Sequence, residues 1–291
     1  MSWLSCAPAT GTDSKEITVS VDTTGLSVGS YSGTISVSAP NAANSPQAVQ
    51  VTVRVLVAGD FDRDAALAGI ERHFGPIPAN DQLPPPPDME VPATLGGEVR
   101  GVVPDQVELP RVHLAYRIPP FGTDEHEDFN VISDLLGTGR ASRLYRSLVR
   151  EQQLAADVAA FVFPWAHGST ALGIWATARP EVAVEALEAE LLAEIDRLTA
   201  DGPSEDELGR ARTLHAAAAE ASLEQVGERA DRISQYACLF DDPDMVNTEV
   251  TRYDAVDAAR VRAAMSARAG ADNRVILTYV PADETDDEAA A

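Results

Sequence analysis

GRASRLYRSLVREQQLAADV, residues 139–158, sets a glycine turn, a helix and a strand in immediate succession. Gly137-Thr138-Gly139 ends one helix, because glycine tolerates the backbone reversal that follows a last helical turn. An Arg/Leu/Tyr-rich helix over 141–153 comes next, then an alternating strand from Ala155 to Phe163. Upstream, a helix from about Thr123 to Leu136 puts Phe129, Ile132, Leu135 and Leu136 on one side. Before it, VELPRVHLAYRIP alternates Val112, Leu114, Tyr116 and Ile118 against polar partners, the period of a half-buried strand. Downstream, a Pro-Trp-Ala-His-Gly turn joins the first strand to a second, STALGIWATA. A helix over 180–200 takes Pro180 in its first turn and stops before Gly202. Ser204-Glu-Asp-Glu207 has the form of a capping box opening a long helix to about Phe240. A last helix begins near Asp257, and the strand NRVILTYVP (273–281) finishes the sheet. This order predicts an α+β domain over 101–281, an antiparallel sheet flanked by helices on one face.

Residues 1–56 have a different texture. EITVSVD (16–22), YSGTISVSA (31–39) and QAVQVTVRVLV (47–57) alternate β-branched residues with Ser and Thr, separated by turn-forming stretches. With Trp3-Leu4-Ser5 and the Gly29, Tyr31, Gly33 turn, this segment resembles part of a bacterial Ig-like module of the BACON type. It covers less than the ~100 residues such a sandwich uses. Residues 57–79 switch to helical periodicity, with Asp62 as the cap, Ala66, Leu67, Ile70 and Phe74 as the apolar stripe, and Gly75-Pro76 as the stop. Residues 80–100 form a proline-rich extended linker, and the acidic tail 282–291 is expected to be disordered. The strand QVTVRVLVAGDFD serves both the Ig-like pattern and the helix after it, which reads as a recombined, truncated or engineered chain.

The 291 residues are 45% apolar and carry a net charge of −24, enough chain for one to three domains with a real core. Lys15 is the only lysine. So acidic a chain repels phosphate backbones and anionic lipid, so neither nucleic acid nor a membrane surface is expected as a partner. Cys6 and Cys238 form no disulfide framework, and Cys238 reads as a small buried hydrophobe. With no signal-peptide pattern or apolar run of ~18 residues, the expected compartment is the cytoplasm, with a secreted origin possible for the Ig-like segment.

The Ser142-Arg143-Leu144-Tyr145 helix, Gly202-Pro203-Ser204 with Glu207-Leu208, and the closing Asn273-Arg274-Val275 strand together resemble the second, non-catalytic half of pitrilysin/insulinase-type zinc metallopeptidases, the group of mitochondrial processing peptidase. Val57, Gly59, Asp60, Phe74, Gly75, Ile77 and Pro78 resemble the tail of the domain before it. The resemblance implies a LuxS- and processing-peptidase-like fold that embraces a peptide or unfolded polypeptide while a partner half supplies zinc. It also implies an Arg in this half, with a Tyr seven residues later, holding the substrate backbone. Arg150 matches the Arg, but Ala156 and Asp157 stand where the Tyr should be. Arg150, Arg143 and Tyr145 are the candidate substrate-binding residues. The competing assignment pairs Arg143 and Arg146 with Glu151 or other helix neighbours.

No catalytic residue and no metal ligand is assigned. Zinc of this family needs two His on one helical face with a Glu between them and a distal Glu. The five histidines, His73, His113, His126, His167 and His215, include no such pair. The run Asp124-Glu125-His126-Glu127-Asp128 is accounted for by a solvated, capped helix start. No cofactor is therefore expected on this chain alone, and zinc is expected only in the other half. Alternatives are a scaffold protein whose Ig-like segment binds carbohydrate or protein through Trp3 or Tyr31, or an inactive subunit pairing with a separate zinc-bearing chain. Unpaired strand edges also favour self-association.

Overall fold

A computed structural model describes residues 4–7, 18–21, 30–37, 47–54, 59–74 and 89–282. Residues 80–88 of the proline-rich linker, residues 283–291 of the acidic tail, and the side chains of Trp3 and Tyr31 lie outside the described residues. The chain divides into two compact units, Met1–Asp88 with Ser222–Val246, and Met89–Ala221 with Asn247–Ala291.

In the first unit, β1 (Leu4–Ala7) pairs with β2 (Thr18–Val21), and β3 (Ser30–Val37) with β4 (Gln47–Arg54), as two antiparallel ribbons. Helix α1 (Arg63–Phe74) follows, capped by Asp62, whose carboxylate accepts from the Ala65 N–H at 2.7 Å.

The second unit is built on a five-stranded sheet. Its strands are β5 (Val99–Asp105), β6 (Arg111–Ile118), β7 (Ala155–Val162), β8 (Thr170–Ala178) and β9 (Arg274–Pro281), in the order β5-β9-β6-β8-β7. All neighbours are antiparallel except β5 and β9, which run parallel. This departs at one edge from the antiparallel sheet read from the sequence. The physical cause is the placing of β9. The short connection 106–110 reverses the chain between β5 and β6 but leaves them one strand apart, and β9 fills the space, so it must run with one and against the other. Strand β5 also begins inside the stretch read as linker, where Val99, Val102 and Val103 restore β-forming sequence.

Strict alternation in β6 buries Val112, Leu114, Tyr116 and Ile118, and leaves Arg111, His113, Ala115 and Arg117 on the opposite face. Helices α2 (Asp124–Gly137), α3 (Val184–Asp201) and α7 (Ala258–Arg268) pack on the buried face through Phe129, Ile132, Leu136, Leu191, Ile195 and Met265. Each such side chain contributes about 1.5–3 kcal/mol by leaving water. The other helices are α4 (Glu205–Glu224), α5 (Val226–Phe240) and α6 (Glu249–Asp254).

Three local expectations change. Helix α3 starts at Val184 rather than at Pro180, because Glu181 adopts a left-handed φ of 67° that interrupts the first turn. The long helix from Ser204 breaks at Gln225, which is extended (ψ 128°) and precedes Val226-Gly227, a weak helix-forming pair. Cys238 is exposed on α5, while Tyr236 takes the buried position.

Candidate functional site

Ser142 opens the arginine-rich helix by donating its hydroxyl to Gly139 O at 2.8 Å. From Tyr145 to Glu151 this helix is wound as a π-helix, closed by Gln152 N–H donating to Ser147 O at 2.9 Å. Leu148 and Val149 are buried beneath it. Gln153, at φ 56°, then reverses the chain into β7.

The structure separates the three candidate residues. Arg143 turns inward, donating from Nε and Nη2 to both oxygens of Glu207 at 2.8 and 2.9 Å, and from Nη2 to Gly202 O at 2.8 Å. Its partner is thus on α4, 64 residues away, and not a neighbour on its own helix. Tyr145 is half-buried against the core. Arg150 is exposed in the last turn before β7, and Arg146 lies 3.9 Å from Glu151. Arg140 is exposed in the glycine turn. Ala156 and Asp157 are both exposed at the register shift that opens β7, so no hydroxyl is presented there.

Glu207 also closes the capping box of α4, its carboxylate accepting from Ser204 N–H at 2.8 Å and Ser204 Oγ at 3.0 Å. Burial alone would raise its pKa. The hydrogen bonds from Arg143 and Ser204 outweigh that effect and bring it down to about 2.

Strand β7 is one edge of the sheet, and Phe161 on its open face begins an aromatic stripe that continues past the strand's end and that alternation in AADVAAFVFPW makes legible. Phe161 lies over Gly173 of β8, where an added Cβ would meet the ring at 2.7 Å. Phe163 meets Phe161 edge-on at 5.2 Å and stacks on Trp165 at 4.6 Å. Trp165 is 53% exposed and Phe161 37%. Phe121 N–H donates to Trp165 O at 2.9 Å, and Thr170 Oγ1 to Phe163 O at 2.6 Å, so backbone contacts hold the stripe in place. The last turn of α2 supports the strand from the helix side. The other edge, β5, is blunted by Pro104 and by ion pairs of Arg100 with Glu98 and Glu188.

The acidic helix start differs from its expected role. Asp124 and Glu125 are exposed, but Glu127 and Asp128 are buried, drawn in by Arg252 at 3.7 Å and Arg260 at 2.8 Å. Burial raises both carboxyl pKa values. His126 is buried as well, 3.4 Å from both Phe163 O and Asn130 Nδ2, and burial lowers its pKa. These donors are held by protein partners, and among the described residues no three His, Cys, Asp or Glu side chains converge as a metal-binding group. The residues described do not fit zinc. Of the other histidines, His113 meets Tyr279 edge-on at 5.3 Å and His215 stacks on Tyr253 at 3.8 Å, both as packing partners. His73 and His167 are exposed.

Comparison with known proteins gives a consistent result. The family model described as the peptidase M16 inactive domain matches residues 49–214. The zinc protease PqqE of Helicobacter pylori is 28% identical over 183 residues, which is 62% of this chain and 41% of that protein. The chain therefore spans well under half the length of that relative. A crystal structure of a protease from Helicobacter pylori superposes with a TM-score of 0.69 at 20% identity, over 80% of this chain and 55% of that one. The crystal structure of a peptidase M16 inactive domain from Pseudomonas fluorescens superposes at 0.62 with 19% identity, over 81% and 54%. At such identities these structures speak for the fold alone.

Proposed function

The chain belongs to the family of peptidase M16 inactive domains, and on that premise we propose that it holds polypeptide for a zinc-bearing half without hydrolysing it. Relatives named as zinc proteases support the association with peptide substrates. The observation that carries the reading is the aromatic stripe Phe161, Phe163 and Trp165, which starts on the edge strand β7 and runs past its end across Pro164. An extended segment with apolar side chains can lie on it, covering aromatic surface that is otherwise wet. Arg150, exposed before the same strand, is available for a backbone carbonyl or carboxylate. The hydrolytic zinc belongs to the other half.

Amide hydrogen exchange on the full chain, with and without a carboxymethylated unstructured polypeptide, tests this. Protection is expected at Phe161–Trp165 and is lost in Phe161→Ser. Protection confined to other strands overturns the docking site. Zinc-dependent cleavage of that polypeptide by the chain alone, abolished by chelator, overturns the non-hydrolytic role.

A further inference from the structure

A separate cavity lies at the far end of the open sheet face. Strand register sets Tyr279, Arg111, Thr177 and Asp157 in one row across β9, β6, β8 and β7, with His113 and Trp175 in the next. Asp105 at the end of β5 and Glu108 of the β5–β6 connection line this end. The cavity measures about 500 Å³, within the range of small-ligand sites.

Arg111 is fixed on two sides. Its Nε donates to Thr177 Oγ1 at 2.8 Å, and its guanidinium carbon sits 4.4 Å from the centre of the Trp175 ring. Its Nη2 is 4.0 Å from Asp157, the outer limit of an ion pair. The terminal nitrogens of a planar fork held this way suit a carboxylate gripped at both oxygens. Asp105 and Glu108 line the same space with the opposite charge and suit an ammonium. Tyr279, edge-on to His113 at 5.3 Å and 68°, walls the cavity between them. Burial and the nearby Arg111 lower the His113 pKa, so no second cation competes there.

We propose that this cavity binds the zwitterion of a short peptide, its carboxylate on Arg111 and its ammonium at Asp105 and Glu108. Such a molecule is the product of peptide-bond hydrolysis, so the ligand's source rests on the family reading above, while the site itself does not.

Calorimetric titration of the full chain with the dipeptide Leu-Phe, its C-terminal amide, its N-acetyl form and free phenylalanine tests the assignment. Leu-Phe is expected to bind saturably, with the amide and N-acetyl forms at least about tenfold weaker. Arg111→Met removes the preference for acid over amide, and Asp105→Asn with Glu108→Gln removes the preference for the free ammonium. Asp157→Asn tightens binding by relieving competition for Arg111, a gain that misfolding cannot produce. Phe161→Ser leaves the dipeptide affinity unchanged, which keeps this result separate from the docking stripe. Equal binding of acid and amide, or no saturable binding, overturns the site. Phenylalanine binding as tightly as Leu-Phe overturns the peptide assignment.

Discussion

Arg143 and Glu207 face each other through a two-point hydrogen bond of 2.8 and 2.9 Å, with side chains only 13% and 11% exposed. The pair ties the arginine-rich helix to the first turn of α4. Removing one partner strands a charge in a dehydrated place. Arg143→Ala is therefore expected to cost about 3–5 kcal/mol, read from urea unfolding. Arg143→Met with Glu207→Leu should recover part of that loss, because neither charge then needs compensation, while the capping bonds of Glu207 to Ser204 remain lost. A double variant whose loss equals the sum of the losses of Arg143→Met and Glu207→Leu taken singly would show that the pair is not coupled.

The same pair sets a pH dependence. The Glu207 pKa is depressed to about 2 in the folded chain, below its ordinary value of 4.5. Between those values the unfolded state binds more protons, so stability falls as the solution is acidified. The contribution is complete above pH ~4.5 and is lost towards pH ~2. The difference in stability between the native chain and Glu207→Gln should shrink over that window. A difference independent of pH would refute the assignment. Glu127 and Asp128 act in the opposite sense, since burial raises their pKa values and protonation relieves them.

Much of this arrangement is legible in sequence where one period governs it. The alternation of Val112, Leu114, Tyr116 and Ile118 gives β6 and its buried face directly, and Ser204 with Glu207 gives the start of α4. Pairings between distant segments leave no such mark. Arg143 lies three residues from Arg146 and five ahead of Leu148 on its own helix, yet its partner is set by how α4 folds back. Likewise Glu127 and Asp128 read as a solvated helix start until α6 and α7 bring Arg252 and Arg260 over them. Strand β5 was hidden because the segment before it is rich in proline and the strand it joins is the last in the chain.

Gly137 ends α2 against the backbone of β7. A Cβ there would fall within 2.9 Å of the Ala160 Cα and closer still to its nitrogen. Because backbone must move, Gly137→Ala is expected to cost about 1–3 kcal/mol. Gly139, two residues on, has open space around it but a φ of 77°. Gly139→Ala should be destabilising through backbone strain alone, by about 1 kcal/mol. Thermal unfolding of both variants should rank Gly137→Ala as the more damaging, and the reverse order would contradict the close approach.

Cys238 is exposed on α5 and forms no disulfide. Iodoacetamide should alkylate it in the native chain about as fast as in denaturant, as followed by mass spectrometry of the peptide containing it. Strong native-state protection would return Cys238 to the interior position that the apolar run Tyr236 to Phe240 suggests.

Asn273 is fully buried at the start of β9, where its Nδ2 donates to Arg117 O of β6 and Arg268 O of α7, each at 2.7 Å. One amide thus joins the sheet to the helix that covers it, at the point where the chain leaves α7 for its last strand. Asn273→Ala deprives two part-buried carbonyls of their donor, each loss costing about 1 kcal/mol. Asn273→Asp keeps the shape but offers acceptor oxygens to those carbonyls when ionised, so it should be at least as damaging at neutral pH and improve as the solution is acidified. Equilibrium unfolding of both variants at pH 7 and pH 5 checks the order. An aspartate variant with native stability at pH 7 would mean that the donated hydrogen bonds do not hold this corner together.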